Sequence, residues 1–337
     1  MKKLFNLQLF AASDYTQTTG DAGMSAEMKT FYDTQLLRDA QPNLVFYDAG
    51  KKQKLPKNHG KTIEWRKFSD LAIATTALTE GVTPEGHKFT VTAITSTLYQ
   101  YGDYTITTDV LELTTIDPYI VEATTKHSQN AAKTIDTITR NVVMAGTNVL
   151  YAPKSNGTAV VARSGLDATC TLTPTLCAKA ATVLRQNDAP TVNGDYLAIV
   201  HPSVEFDLIT NSAWIGVHQY TDEVEKVYAG EIGRLYNIRF MRSTNAKIWK
   251  GGASDPSGLA VYGVPVFGKD AYSVVDLEGG GLEMIIKPTS SGGTENALNQ
   301  RGSIGWKVTG YAAAVLYQNY LTRIECCSAF SATDSAN

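Results

Sequence analysis

The sequence predicts an α+β fold, and three stretches carry that expectation. Residues 60–112 read as an extended polar-aromatic hairpin, residues 117–146 as one long helix, and residues 173–242 as alternating helices and strands. In the first arm, Lys61-Thr62-Ile63-Glu64-Trp65-Arg66-Lys67-Phe68 has the β-branched and aromatic composition of a strand. The return arm runs from Lys88-Phe89-Thr90-Val91 to Tyr104-Thr105-Ile106-Thr107, and a Thr/Gly/Pro-rich tip covers residues 75–86. A two-stranded ribbon buries little apolar surface on itself and is marginal in water. It must therefore lean on something, and a neighbouring copy of the same chain is the simplest candidate. That points to assembly rather than catalysis.

The long helix starts at Asp117, which can cap it, and Pro118, whose missing N–H is no loss in a first turn. Ile120, Thr124, His127, Ala131, Ile135, Ile138, Val142 and Ala145 then recur at spacings of three and four, and Gly146 is a stop. Such a helix is roughly 40 Å long. Its stripe should face a sheet through Ile135 and Ile138, leaving Thr137 on the exposed face. The small residues of the stripe allow close approach.

The α/β series begins with Thr173-Pro174, which opens a helix to Asn187. Residues 196–200 are wholly apolar and read as a buried strand. Ser203 can cap a helix through Leu208, residues 224–235 read as helical, and residues 237–242 as a strand. Residues 259–275 are strand-rich, with Pro265 arguing for an edge or a bulge. Residues 154–157, 278–281 and 289–294 are turns, residues 284–286 and 304–324 are strands, and residues 328–337 are expected to fray.

At the other end, residues 1–58 read as an arm with a short helix at 25–37 and a basic linker at 51–59. Its apolar start is cut by Asn6 and Gln8, so an arm whose Leu4, Leu7 and Leu9 or Phe10 dock on a partner is preferred to a signal peptide. No later segment approaches the ~18 apolar residues of a membrane span, and no membrane partner is expected.

The totals agree with a protein that builds rather than reacts. A chain of 337 residues with 43% hydrophobic content can form one large or two modest domains. Its net charge of −3 excludes the basic face of a sequence-specific DNA-binding domain. Cys170, Cys177, Cys326 and Cys327 lack C-x-x-C spacing, and adjacent Cys326 and Cys327 cannot form an unstrained disulfide. They read as reduced cytosolic thiols.

Candidate chemistry is sparse. Gly60-Lys61-Thr62 has the last letters of a phosphate-binding loop, but Leu55 stands where its first glycine belongs and a strand follows instead of a helix. None of His59, His87, His127, His201 and His218 forms an H-x-x-x-H pair. His127, on the helix stripe, reads as a packed, hydrogen-bonded histidine. His201 follows a buried strand, where α/β active sites gather, with Glu205 and Asp207 close in sequence. It is the best enzymatic candidate, although no nucleophile signature accompanies it. The tip, Glu80-Gly81-Val82-Thr83-Pro84-Glu85-Gly86-His87-Lys88, mixes charges with glycines and suits a surface that pairs with a neighbour's charges.

The order of parts resembles tailed-phage major capsid proteins with the Hong Kong 97-type coat fold. The matching pieces are Met1-Lys2-Lys3-Leu4-Phe5-Asn6-Leu7-Gln8-Leu9-Phe10-Ala11, Gly60-Lys61-Thr62-Ile63-Glu64-Trp65, Leu78-Thr79-Glu80-Gly81-Val82-Thr83-Pro84 and Tyr99-Gln100-Tyr101-Gly102-Asp103. Phe267-Gly268-Lys269-Asp270-Ala271-Tyr272 and Gln300-Arg301-Gly302-Ser303-Ile304-Gly305-Trp306-Lys307 match too. The resemblance covers nearly the whole chain. It implies an N-terminal arm at 1–58 and an extended E-loop hairpin at 59–112. A peripheral domain with spine helix and long sheet follows at 113–170 and 255–337, and an axial α/β domain at 171–254. It also implies hexamers and pentamers that close into an icosahedral shell around double-stranded DNA, in the virion and, before assembly, in the host cytoplasm. Portal, scaffolding and decoration proteins are candidate partners; no long built-in scaffolding segment, catalytic residue, cofactor or metal is expected. Arg66, Lys67, Glu80, Glu85, His87 and Lys88 are the expected subunit contacts, and Ile120, Ile135, Ile138 and Val142 the expected packing of the spine helix. Three rivals stand beside this reading: an encapsulin-like compartment of the same fold, a hydrolase built around His201, and a strand-rich adhesin, against which the missing signal peptide argues.

Overall fold

The computed structural model describes residues 44–83, 86–114, 119–219, 231–256, 258–289 and 296–337. In chain order the first elements are α1 (Val45–Ala49), β1 (Lys51–Leu55), β2 (Thr62–Phe68), β3 (Val91–Thr97), β4 (Tyr99–Thr108), α2 (Asp109–Thr114), α3 (Tyr119–Met144), β5 (Val149–Tyr151) and α4 (Pro174–Gln186). Then come β6 (Tyr196–Val200), α5 (Pro202–Ile209), α6 (Ser212–Gln219), β7 (Glu231–Leu235), β8 (Ile238–Arg242), β9 (Ile248–Trp249), β10 (Val261–Phe267), β11 (Tyr272–Leu277), β12 (Leu282–Lys287), β13 (Arg301–Val315) and β14 (Leu321–Cys326). The expected docking arm with its helix at 25–37, the cap at Asp117 and Pro118, and the turn at 290–294 lie outside the described residues.

The chain divides into two compact units, one of residues 100–134 and 280–309 and one of residues 44–99, 135–279 and 310–337. In the first unit, β12 pairs antiparallel with β13 from Leu282↔Val308 to Lys287↔Ser303, and β4 also pairs with β13. Met284 and Ile304 meet Tyr119, Ile120 and Ala123 of α3. Trp306 Nε1 donates to Asn130 Oδ1 at 2.9 Å, and the His127 ring stands 2.6 Å from the Thr105 hydroxyl. His127 is thus the packed histidine its position on the stripe suggests.

Helix α3 has 26 residues, and Gly146 N turns back to Val143 O just past its end. Its buried face follows the apolar stripe through Thr124, His127, Ala131 and Ile135 and drifts off it beyond Ile135. Ile135 is buried, Ile120, Ile138 and Val142 are half-buried, and Ala145 is exposed beyond the last turn. Ser128, Ala132, Asp136, Thr139, Arg140 and Val143 are buried as well, which widens the face beyond the stripe. The polar members of that face are satisfied locally: the Thr124 and Thr139 hydroxyls donate to the carbonyls of Ile120 and Ile135, at 2.6 and 3.0 Å. Thr137, expected on the open face, is half-buried and donates to Asn245 Oδ1 at 3.2 Å.

The second unit is built on a seven-stranded sheet of order β5-β14-β10-β6-β8-β7, with β9 also on β10. Every residue of β6 is buried, as its continuous apolar run predicts. β6 runs parallel to β8, the crossover containing α5 and α6. Val204, Leu208 and Trp214 from these helices join Leu184 of α4 and Phe240 of β8 in one core. Thr173 caps α4, its hydroxyl accepting from Leu176 N.

Five expectations are corrected in this unit. Residues 51–55 of the basic linker form strand β1, parallel to β11 from Lys51↔Ser273 to Leu55↔Leu277. Its lysines point to solvent while only Leu55 is buried, which hides the strand from a hydrophobicity reading. Residues 231–235 form strand β7, not helix, with a register shift between Glu231 and Gly233; residues 224–230 lie outside the described residues. Helix α5 is capped by His201 rather than Ser203. Pro265 sits in a central strand, but β9 pairs only with Val261 and Tyr262 and β6 only with Val266 and Phe267, so the missing N–H falls in the gap between them. Residues 328–337 do not fray: Tyr262 OH donates to Asp334 at 2.6 Å, and Asn337 both accepts from Ile248 N and donates to Ala246 O.

Candidate assembly surface

The hairpin is paired from Thr62↔Thr97 to Phe68↔Val91. The return arm then breaks at buried Leu98, because β4 pairs with β13 and not with β2. At the root the ribbon does have an intrachain support. Ile63 and Trp65 pack on Leu55, Leu98, Val275 and Ala312, and Trp65 Nε1 donates to Gln53 Oε1 at 2.5 Å. Alternation explains this: residues 63 and 65 share one face of β2.

Beyond the root the support ends. Every described residue from 66 to 93 is exposed. Phe68 and Phe89 stack edge to face at 6.2 Å, yet each is 60% exposed. Further out, Ile73 is 87% and Leu78 77% exposed, and a turn at Thr79 and Gly81 closes with Val82 N donating to Thr79 O at 3.2 Å.

Of the expected contact residues, Arg66 is held by Glu64 of its own strand at 2.8 Å, and Lys67 Nζ lies 4.8 Å from the Tyr317 ring centre. The hydrogen bond to Glu64 raises the Arg66 pKa further. Glu80, His87 and Lys88 are exposed on the tip, and Glu85 lies outside the described residues. Arg66 and Lys67 stand near the outer end of the ladder, opposite Ala93 and Thr92.

A polar anchor that the sequence reading missed holds the start of this unit. Asp136 Oδ1 accepts from Phe46 N at 2.7 Å and Tyr47 N at 3.3 Å, and Oδ2 accepts from Asn245 Nδ2 at 2.9 Å. Arg140 donates to the Asn245 carbonyl at 2.9 Å. Burial pushes the Asp136 carboxyl up to about 6, against the pull of those N–H donors and of Arg140. Tyr272 OH closes the anchor by donating to Phe46 O at 2.7 Å. The only sequence signal was an acid and a base, Asp136 and Arg140, four apart on a helix.

His201 has a structural duty. Its Nδ1 accepts from Ser203 N at 3.2 Å, its ring lies 5.2 Å from that of Tyr262, and burial lowers its pKa. Ser203 Oγ lies 3.2 Å from that Nδ1 and donates to Asp334 at 3.1 Å, so the imidazole is engaged in holding the start of the helix and the C-terminal segment. All four cysteines are buried free thiols, and burial pushes Cys177 up to about 12. Among the described residues no group of three or more His, Cys, Asp or Glu could hold a metal ion, and no helix is long and apolar enough to cross a membrane.

The family described as phage capsid protein matches residues 90–322, well over half the chain. No curated protein matches it. Among solved structures, the chain is similar to the capsid of the cyanophage P-SCSP1u, at 15% identity over 86% of this chain and 89% of that one, with a TM-score of 0.62. It is similar to the capsid of Ralstonia phage GP4 at 13% identity, covering 84% and 90% of the two chains, with a TM-score of 0.63. The holo-SrpI encapsulin complex from Synechococcus elongatus is similar at 9% identity over 99% of both chains, with a TM-score of 0.53. At such identities the likeness is one of fold.

Proposed function

The chain belongs to the phage capsid protein family, a self-associating shell protein of the bacteriophage virion with the α+β coat fold, and from that premise we propose that its hexamers and pentamers form an icosahedral head around double-stranded DNA. The observation that carries this reading is the hairpin. Its root is packed in the subunit, while Leu71, Ile73, Leu78 and Val82 are exposed along the tip. Contiguous exposed apolar surface marks an interaction site, and in a protein that associates with itself the natural cover is another subunit.

On this reading residues 59–112 overlap a neighbour, with Arg66, Lys67, Glu80, Glu85, His87 and Lys88 in the contact. Residues 1–58 are an arm, 113–170 and 255–337 the peripheral domain, and 171–254 the axial domain. Ile120, Ile135, Ile138 and Val142 pack the spine helix. The subunit carries no catalysis. Its net charge of −3 suits a wall facing DNA, since strong attraction would hinder packing and release of the genome. Portal, scaffolding and decoration proteins would meet the finished capsomers, and subunits wait in the host cytoplasm.

Negative-stain microscopy of the expressed chain tests the reading. Closed shells with sixfold and fivefold capsomers are expected; a monodisperse monomer under all conditions would overturn it. The likeness to an encapsulin favours a second reading, a compartment around cargo enzymes. Particles from infected cells decide between them: packaged phage DNA supports the head, protein cargo the compartment.

A further inference from the structure

The hairpin carries opposite charges at its two ends. Residues 51–61, at its root, hold a net +5, and residues 69–90, at its tip, a net −2. The seven paired residues of β2 rise about 3.3 Å each and put ~20 Å of ladder between Lys61 and Asp70. The screening length at physiological salt is only about 8 Å. The two ends therefore do not neutralise one another within a chain.

Part of the root charge is already used. Lys51 pairs with Asp270 at 3.3 Å and Lys52 with Asp48 at 2.8 Å. Lys57 and Lys61 are exposed and make no ion pair among the described residues. Asp70 and Glu80 on the tip are likewise exposed and without an ion pair among the described residues. Beside these acids stand exposed Leu71, Ile73 and Leu78, more apolar surface than a solvated turn needs.

We infer that the root of one subunit, centred on Lys57 and Lys61, receives the acidic tip of a second subunit's hairpin. The inference rests on the shell-building reading and adds which two surfaces meet. Root on tip is a heterologous contact: it leaves the second subunit's own root open for the tip of a third, and such contacts close into rings when the rotation allows. Root on root would oppose like charges. The complementary pairing supplies register and speed of encounter, while the apolar tip residues supply area.

Charge reversal with rescue tests the contact. The full chain is compared with Asp70→Lys plus Glu80→Lys, with Lys57→Glu plus Lys61→Glu, and with all four changes together. Light scattering follows assembly at low salt, and thermal melting checks the fold. Each double reversal should slow assembly by about tenfold or more with an unchanged melting temperature, and the fourfold variant should return to within about threefold of the unaltered rate. A fourfold variant as slow as either double, or doubles that assemble normally, would overturn the pairing. So would a root reversal that leaves shells intact and only strips them of nucleic acid, which would assign Lys57 and Lys61 to DNA. Should a reversal lower the melting temperature, a cycle of Lys57→Gln and Glu80→Gln replaces it: coupled rates support the contact and additive rates oppose it. Failure of the unaltered chain to form shells would sink the shell-building reading itself; normal shells without charge coupling sink only the root-to-tip contact.

Discussion

Strands β6 and β3 are both short and extended, yet every residue of β6 is buried and none of β3 is. β6 lies between β10 and β8 in the seven-stranded sheet; β3 has only β2 beside it. The free energy that orders β6 comes from its own subunit. That of the outer hairpin is largely unrealised until something covers it. Changes in the first region should therefore be read in melting temperature, and changes in the second in assembly.

The largest effect should come from the core. Phe240→Ala removes a fully buried ring packed edge to face on Trp214 at 5.6 Å, and should cost about 3–5 kcal/mol in urea denaturation. A loss near zero would mean that the sheet does not hold the second unit together. Next comes the spine helix. Ile135→Asp places a charge at a buried site and should destabilise by several kcal/mol, whereas half-buried Ile138→Asp should cost clearly less. Equal melting temperatures for the two variants would mean that the stripe stays buried past Ile135. Thr137→Glu should also register, because that hydroxyl is bonded to Asn245.

Those helix predictions mark where the sequence was legible. Strand β6 could be read because its apolar run is unbroken, and α4 because Thr173-Pro174 announces it. The apolar stripe of α3 was legible as far as Ile135, but not the rest of its buried face, because Ser128, Thr139 and Arg140 look like surface residues until their partners are known. Strand β1 was hidden by its lysines, and β7 by Gly233, which sits at a register shift. In the hairpin, composition identified the exposed tip correctly as polar and glycine-rich, but not the pairing that takes β4 away to β13. Nor could it foresee that Trp65 and Ile63 lie against the subunit's own core.

The buried anchor offers a smaller, pH-dependent effect. The Asp136 carboxyl stands at about 6 in the fold against an ordinary 3.8, so the folded state holds its proton more tightly than the unfolded state. Its contribution to stability is least above pH 6 and grows as pH falls through 6 towards 4. Asp136→Asn cannot titrate, so the unaltered chain should gain stability relative to it as pH falls from 7.5 towards 4. Melting curves across that range check it; a difference independent of pH would mean that the carboxylate is well stabilised where it sits.

The smallest effect on folding belongs to the tip. Ile73→Ala and Leu78→Ala should each change stability by less than about 0.5 kcal/mol while impairing shell formation. Glu80→Lys with Glu85→Lys should block assembly, and rising salt should slow it, as the screening length falls to roughly 3 Å at 1 M. Assembly indifferent to salt and to reversal would leave backbone pairing and apolar contact to hold the hairpin.

The most direct test of this division is to replace residues 70–86 with a short Gly-Ser turn, then measure melting temperature and image the product in the same preparation. A subunit that melts within a few degrees of the unaltered chain and forms no closed shells is the expected result. Normal shells from the shortened chain, or a subunit that no longer folds, would contradict it.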